Sequence, residues 1–384
     1  MTEMMDRGEM GPWPDVATAR LFLGSLTTPE TPLPAGELLR LQALDVAALA
    51  RWLVAEGLGP LAYARYQAAW PALAKRLQGD MYSAVAEAEM CQAKLEAIGP
   101  ALAAQGLRPA LLKGAALAQA VYPALAQRTM ADIDVLLPDE MMQTAVQVMT
   151  ALGYRQHEKE ERPLALQEMA RGEIQFYDPY GRLVELHWSP FAGWWVQRTT
   201  AVDDAAIWRR VEPLRPPFQQ LDPADTVIHL AFHLGISHHF CVSAIRGLLD
   251  IAFTARKRPV AWAVVAARAR EWRVNVAVYV ALDLAAQLVG VAGMEAALAR
   301  LRPSRLRRCF IRRLVTPQGV LAGRDLSRGA YRYLLLLLLT DRWRDMARIV
   351  WRTLWPEREW LAARYGRSVS NWRHLWYLLS QRKI

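Results

Sequence analysis

What most constrains the fold is a change of periodicity. Along most of the chain, apolar residues recur three and four apart, the spacing of an amphipathic helix. Between residues 108 and 188 they alternate instead, in short runs closed by Gly or Pro, as half-buried strands do. Residues 108–112 form a short apolar stretch ending at Lys113-Gly114, and 115–121 read as helix. Asp132-Ile133-Asp134-Val135-Leu136-Leu137 has strand character and stops at Pro138. A helix is predicted over 139–152, ending at Gly153. Residues 173–178 and 182–188 flank the turn Pro179-Tyr180-Gly181, the pattern of a β-hairpin.

The flanks are helical. Residues 17–69 carry helical spacing between the breakers Pro32-Leu33-Pro34 and Gly57-Leu58-Gly59-Pro60. The alanine-rich stretch 71–105 predicts one long helix ending near Gly106. Residues 213–223 read as a proline-rich linker, followed by helices over 225–237, 244–255, 260–272 and 275–289. Asp222 and Pro223 suit the cap and first position of the first of these. The expected fold class is therefore α+β, a small mixed sheet embedded in a mainly helical chain. Its expected parts are an N-terminal helical region (1–105), a catalytic core (106–212) and a C-terminal helical region (222–384), basic and Trp-rich at its end.

At 384 residues with 53% hydrophobic content, the chain has enough apolar surface for two or three packed units. Its three cysteines, Cys91, Cys241 and Cys309, lie far apart, which excludes a disulfide framework or a cysteine zinc site. Residues 1–15 lack a basic start followed by an apolar run, so no secretory signal is expected and the setting reads as cytoplasmic. Apolar runs such as 334–339 fall far short of the roughly 20 residues that cross a bilayer. The net charge of +10 is uneven: from Arg300 onward, Lys and Arg outnumber Asp and Glu by 20 to 5. A polyanionic partner would meet the protein there.

The chemistry belongs in the mixed block. In a strand, residues two apart share a face, so Asp132 and Asp134 project together while Ile133 and Val135 enter the core. The same rule sets Glu185 and His187 on one side of the hairpin's second strand. Glu185 in an apolar strand is costly without a partner. If this strand lies beside the Asp strand, three carboxylates converge, and such hard oxygen ligands suit Mg²⁺ or Mn²⁺. Upstream, Lys113-Gly114 opens a helix whose N-terminus suits a phosphate, with Gly114 allowing close approach. Arg128 offers a forked donor for a triphosphate, and His187 orients Glu185 or touches substrate.

Leu111-Leu112-Lys113-Gly114, then Arg128-Thr129-Met130-Ala131-Asp132-Ile133-Asp134-Val135-Leu136, then Glu185-Leu186-His187-Trp188 resemble the bacterial nucleotidyltransferase family proteins, an uncharacterised branch of the polymerase-β-like nucleotidyltransferase superfamily. Val227-Ile228-His229-Leu230-Ala231-Phe232-His233 and Leu248-Leu249-Asp250-Ile251 are also similar to that group. The likeness runs from about residue 20 to 365, its specific motifs confined to 111–188. It implies a palm-like mixed sheet in which Asp132 and Asp134 hold metal and Glu185 is the third acid. By their own chemistry, Lys113, Gly114 and Arg128 are the residues expected to meet the nucleotide. The superfamily usually has Gly-Ser at the phosphate loop, where this chain has Lys113-Gly114.

The implied reaction is transfer of a nucleoside monophosphate from NTP to an acceptor, a small molecule, peptide natural product or protein, with release of pyrophosphate. The alternative is a non-catalytic or antitoxin-like nucleotide-binding module retaining the fold. His229 and His233 have zinc-compatible spacing, with His238-His239 close behind. No Glu follows His229, so the metalloprotease motif is absent and these residues are expected at the interface of helices and block. The basic end interleaves Arg with Trp343, Trp351, Trp355, Trp360, Trp372 and Trp376. Contact with RNA or an anionic membrane surface is a lesser expectation beside a solvated basic helix face.

Overall fold

The computed structural model describes residues 11–157, 172–191, 193–241 and 243–380. Residues 1–10, which read as lacking a leader, and the basic residues at 382–383 lie outside the described residues. Among those described, Ala110–Leu111 (β1), Asp132–Leu136 (β2), Arg155–Gln156 (β3), Glu173–Tyr177 (β4), Leu183–His187 (β5), Glu212–Pro213 (β6) and Gln219–Gln220 (β7) form one seven-stranded sheet. Its order is β3-β4-β5-β2-β1-β7-β6, with β2 and β5 parallel and β1 and β4 antiparallel to their neighbours β2 and β5. The fold is thus α+β, as the pattern implies. The β4–β5 hairpin closes through Asp178, whose Oδ1 accepts the N–H groups of Tyr180 and Arg182 at 2.9 and 2.8 Å.

One expectation changes. Residues 213–223 are not simply a linker, because β6 and β7 extend the sheet beyond residue 212: β7 runs parallel to β1, and the Gln219 N–H donates to Pro109 O at 2.9 Å. Pro213 fits because β6 is the edge strand, where a missing N–H need cost no ladder bond.

The alternation read from the sequence decides which face is which. Ile133, Val135, Val184, Leu186 and Phe176 enter one core with Leu95, Ile98 and Leu102 of the helix Pro71–Ala104 and Met149 of the helix Met142–Ala151. Each such buried side chain contributes about 1.5–3 kcal/mol. The opposite face of β2 and β5 keeps the acids. Facing it, the helix Pro223–Phe232 starts at Asp222, whose Oδ1 accepts the Asp225 N–H at 2.7 Å, with Pro223 in its first turn. It widens into a π-helical turn, His233–Ser237, and is followed by the helices Ala244–Lys257, Trp262–Glu271 and Asn275–Leu288.

The basic end packs on this body. Asp341 caps Asn275–Leu288 by accepting the Asn275 and Val276 N–H groups at 2.9 and 2.8 Å, and Trp52 Nε1 donates to Leu321 O at 2.9 Å. Trp343, Trp351 and Trp372 remain exposed. No helix among the described residues is long and apolar enough to cross a membrane.

Candidate active site

The parallel pairing of β2 and β5 sets Asp134 directly opposite Glu185. Both are buried, as is His187, two residues along the same face. Ligand atoms of Asp134, Glu185 and His187 all lie within 4.8 Å of one another. His187 Nε2 is 2.8 Å from Asp134 Oδ1 and 3.4 Å from Glu185 Oε2. Gln175, opposite Glu185 on β4, donates from Nε2 to Glu185 Oε1. Asp132 lies on the same face but opposite Leu183, at the half-buried start of β2, and lines the cavity rather than joining the tight cluster.

Lys113 reaches this cluster from the other side of β2. It begins the helix Lys113–Ala120 at φ 43°, a left-handed conformation uncommon for a side-chain-bearing residue, and its Nζ lies 2.7 Å from Asp134 Oδ1. No side chain caps that helix, so its N-terminus offers backbone N–H groups. Gly114 lets it close on the 128–131 loop: a Cβ there would sit 2.7 Å from Met130 Cγ.

The electrostatics record an excess of acid. Burial pushes the Asp132 carboxyl up, and the Asp134 charge adds to this, raising it to about 6. Burial also pushes Asp134 up, but the Lys113 charge and the His187 hydrogen bond outweigh it and hold the carboxyl below its ordinary range. Burial alone would lower Lys113 and His187; Asp134 and Glu185 reverse both, taking His187 to about 9. Two cations thus face three carboxylates. The two carboxylates and one imidazole that converge here, with Asp132 beside them on the same face, form a donor set that fits a divalent cation, and Lys113 supplies part of that charge.

Arg128 is placed differently from Lys113. Its Nε and Nη2 donate to Asp250 Oδ1 and Oδ2, each at 2.7 Å, in a buried fork, and Tyr122 Oη donates to the same carboxylate at 2.7 Å. Asp250 carries no role in the sequence reading, although a single acid inside the apolar run Leu248-Leu249-Asp250-Ile251 signals a buried partner. Arg246 is also absent from that reading. It lines the same cavity from the first turn of Ala244–Lys257.

The histidines stand behind the acids. His233 Nε2 and His238 Nε2 are 2.6 Å apart, and His229 packs edge-on to Phe191. Burial drives His229 down to about 3 and His238 to about 4, each aided by the Lys113 charge. They form the wall between sheet and helices, as expected. The cavity that His233 and His238 share with Lys113, Asp132 and Glu185 measures about 840 Å³, and its lining includes Arg352, Trp360 and Tyr365 of the basic end.

The profile of a protein family described as uncharacterised nucleotidyltransferase matches residues 42–290. This span contains the sheet, the acid cluster and Asp250, and stops short of the basic end. No curated protein matches the chain.

Proposed function

The chain belongs to the uncharacterised nucleotidyltransferase family, and on that premise we propose that its acid cluster transfers a nucleoside monophosphate from a nucleoside triphosphate to an acceptor, releasing pyrophosphate. The observation that carries the proposal is the juxtaposition of Asp134 and Glu185 on paired strands, with Asp132 on the same face and too little positive charge to balance them. Mg²⁺ or Mn²⁺ held by Asp132, Asp134 and Glu185 would supply that charge and stabilise developing negative charge on the transferring phosphate.

The chain's own groups divide the remaining work. Glu185, held by Gln175, accepts the proton of the attacking hydroxyl or phosphate. His187 orients Glu185 and Asp134 through its Nε2. Lys113 and the N-terminus of Lys113–Ala120 meet the phosphates, with Gly114 permitting the approach. Arg128, its fork committed to Asp250, serves nucleotide binding by fixing the 128–131 loop that leads into β2. The cavity beyond holds the acceptor, a small molecule or a peptide.

Incubation with α-labelled ATP, GTP, CTP and UTP, Mg²⁺ and a cell extract as acceptor source tests this. Label transfer with pyrophosphate release, lost in Asp134→Asn, is the expected result. Nucleotide binding without pyrophosphate release from any of the four would instead favour a binding module.

A further inference from the structure

An amphipathic helix of a globular protein ordinarily turns its apolar stripe to the core. The helix Trp343–Leu354, in the basic end, does the reverse. Asp345 and Ile349 are the residues it buries. Trp343, Ala347, Val350, Trp351 and Leu354 follow the first of them at steps of four, seven, eight and eleven, which sets them in one stripe on the opposite side, and all are exposed. Trp343 is 70% exposed and Trp351 60%. The apolar surface continues onto a neighbouring helix. Trp351 stacks on Trp355 with ring centroids 6.2 Å apart, and Trp355 meets Trp372 edge-on at 5.1 Å. Trp372 begins the helix Asn371–Ser380 with Asn371 and stands one turn from Trp376, which is exposed as well. A concentrated apolar surface of this kind marks a site of contact. It is not part of the cavity, which the helix Trp343–Leu354 lines with Arg352 and Thr353 instead.

Charge says what covers it. Arg344 and Arg348, a turn apart and exposed, run along one edge of the stripe, and the Arg344 guanidinium lies 5.5 Å from the centre of the Trp343 ring. Arg348 meets Asp345 at 3.3 Å yet keeps 56% of its side chain exposed. The few acids of this region are engaged elsewhere: Asp341 caps Asn275–Leu288, and Glu357 pairs with Arg198 and Arg352. Indoles and aliphatic side chains on one face, bordered by arginine, suit the boundary of an anionic bilayer, where rings sit at headgroup depth and guanidiniums meet phosphate. A second copy suits it less, because a twofold pairing sets the stripe against itself and arginine against arginine. RNA would engage the rings and the arginines but leave Val350 and Leu354 uncovered. We propose that the helices Trp343–Leu354 and Asn371–Ser380 dock this protein on an anionic membrane surface, lying in the headgroup layer without crossing it. The proposal does not rest on the transfer reaction.

Co-sedimentation of the full chain with vesicles tests it, using phosphatidylcholine alone and phosphatidylcholine mixed with phosphatidylglycerol. Wild type is expected on the mixed vesicles and not on the neutral ones, with binding that weakens as salt rises. Trp343→Ser combined with Trp351→Ser should weaken binding to the mixed vesicles roughly a hundredfold, as two large apolar side chains lose their burial in lipid. The unfolding midpoint should stay in place, because both rings are exposed in the free protein. Arg344→Gln combined with Arg348→Gln should weaken binding by about tenfold or more and flatten its salt dependence. Brominated lipid in the mixed vesicles should quench the tryptophan fluorescence of wild type, a readout that needs no variant. Failure of wild type to sediment with the mixed vesicles overturns the proposal, as does the absence of quenching or equal binding by the folded tryptophan variant. Tryptophan-dependent dimerisation in sedimentation velocity, or tryptophan-dependent retention of a homopolymer RNA, by a chain that ignores the vesicles would give the face to a second copy or to RNA and overturn it equally.

Discussion

Asp134 and Asp250 are the same residue type, each 1% exposed and each touching a cation at 2.7 Å, yet their surroundings assign them opposite tasks. Asp250 is balanced: both oxygens face the fork of one arginine, and a tyrosine completes the set. Asp134 stands among competing charges. Its Oδ1 takes both Lys113 and His187, while Glu185 and Asp132 add negative charge on the same face. A balanced buried pair braces the fold, whereas an unbalanced cluster is a place for a ligand to supply the missing charge. Asp250 thereby holds Arg128, and with it the loop that presents Asp132 and Asp134.

The strongest way to break the comparison is to exchange its consequences. Asp134→Asn should lower nucleotide transfer by at least about a thousandfold, the upper range for losing one preorganised electrostatic group, while circular dichroism and the unfolding midpoint change little. Asp132 and Glu185 remain to compensate Lys113 and His187. Asp250→Ala should do the opposite in equilibrium unfolding. It strands the buried Arg128 guanidinium and should cost about 3–5 kcal/mol. Equal stability losses in the two variants would remove the distinction.

A finer test stays within the acid cluster. Glu185→Gln should reduce transfer by about a hundredfold, within the range of a lost general base, because the strand pairing that positions it is retained. A rate equal to wild type would take Glu185 out of the reaction.

How far this was legible in the sequence depends on distance along the chain. The five-residue strands β2, β4 and β5 announced themselves because alternation needs several residues to show, and Pro138 and Gly181 marked their ends. The two-residue strands β6 and β7 carry no period at all, and prolines around them read as linker. The shared face of Asp134, Glu185 and His187 followed from period two once the strands were adjacent. Asp132 shares that face but not the tight cluster, since β5 offers Leu183 and not an acid opposite it. The fork of Arg128 on Asp250 joins residues 122 apart, and no local pattern links them. Arg246 was likewise hidden, because it reaches the cavity from a helix more than a hundred residues beyond Asp134.

The smallest expected effect separates the histidine wall from both carboxylates. His229 is pushed to about 3 by burial first and then by the Lys113 charge; its ordinary value is near 6.5. The unfolded chain therefore binds its proton first, so stability is full above about pH 6.5 and is lost as pH falls toward about 3. His229→Phe keeps a ring against Phe191 and removes the titration. Between pH 7 and pH 5, wild type should lose roughly 2 kcal/mol relative to that variant. Parallel pH profiles would mean that His229 is free to take up its proton in the folded protein.

The central claim is that the acid excess around Asp134 exists to hold a divalent cation with a nucleotide. Electron paramagnetic resonance of Mn²⁺ titrated into wild type and Asp134→Asn, each with NTP present, tests it most directly after subtraction of the Mn²⁺–NTP signal. Wild type should hold Mn²⁺, and Asp134→Asn should leave it in solution or on free nucleotide. Equal retention by the two proteins would contradict the assignment.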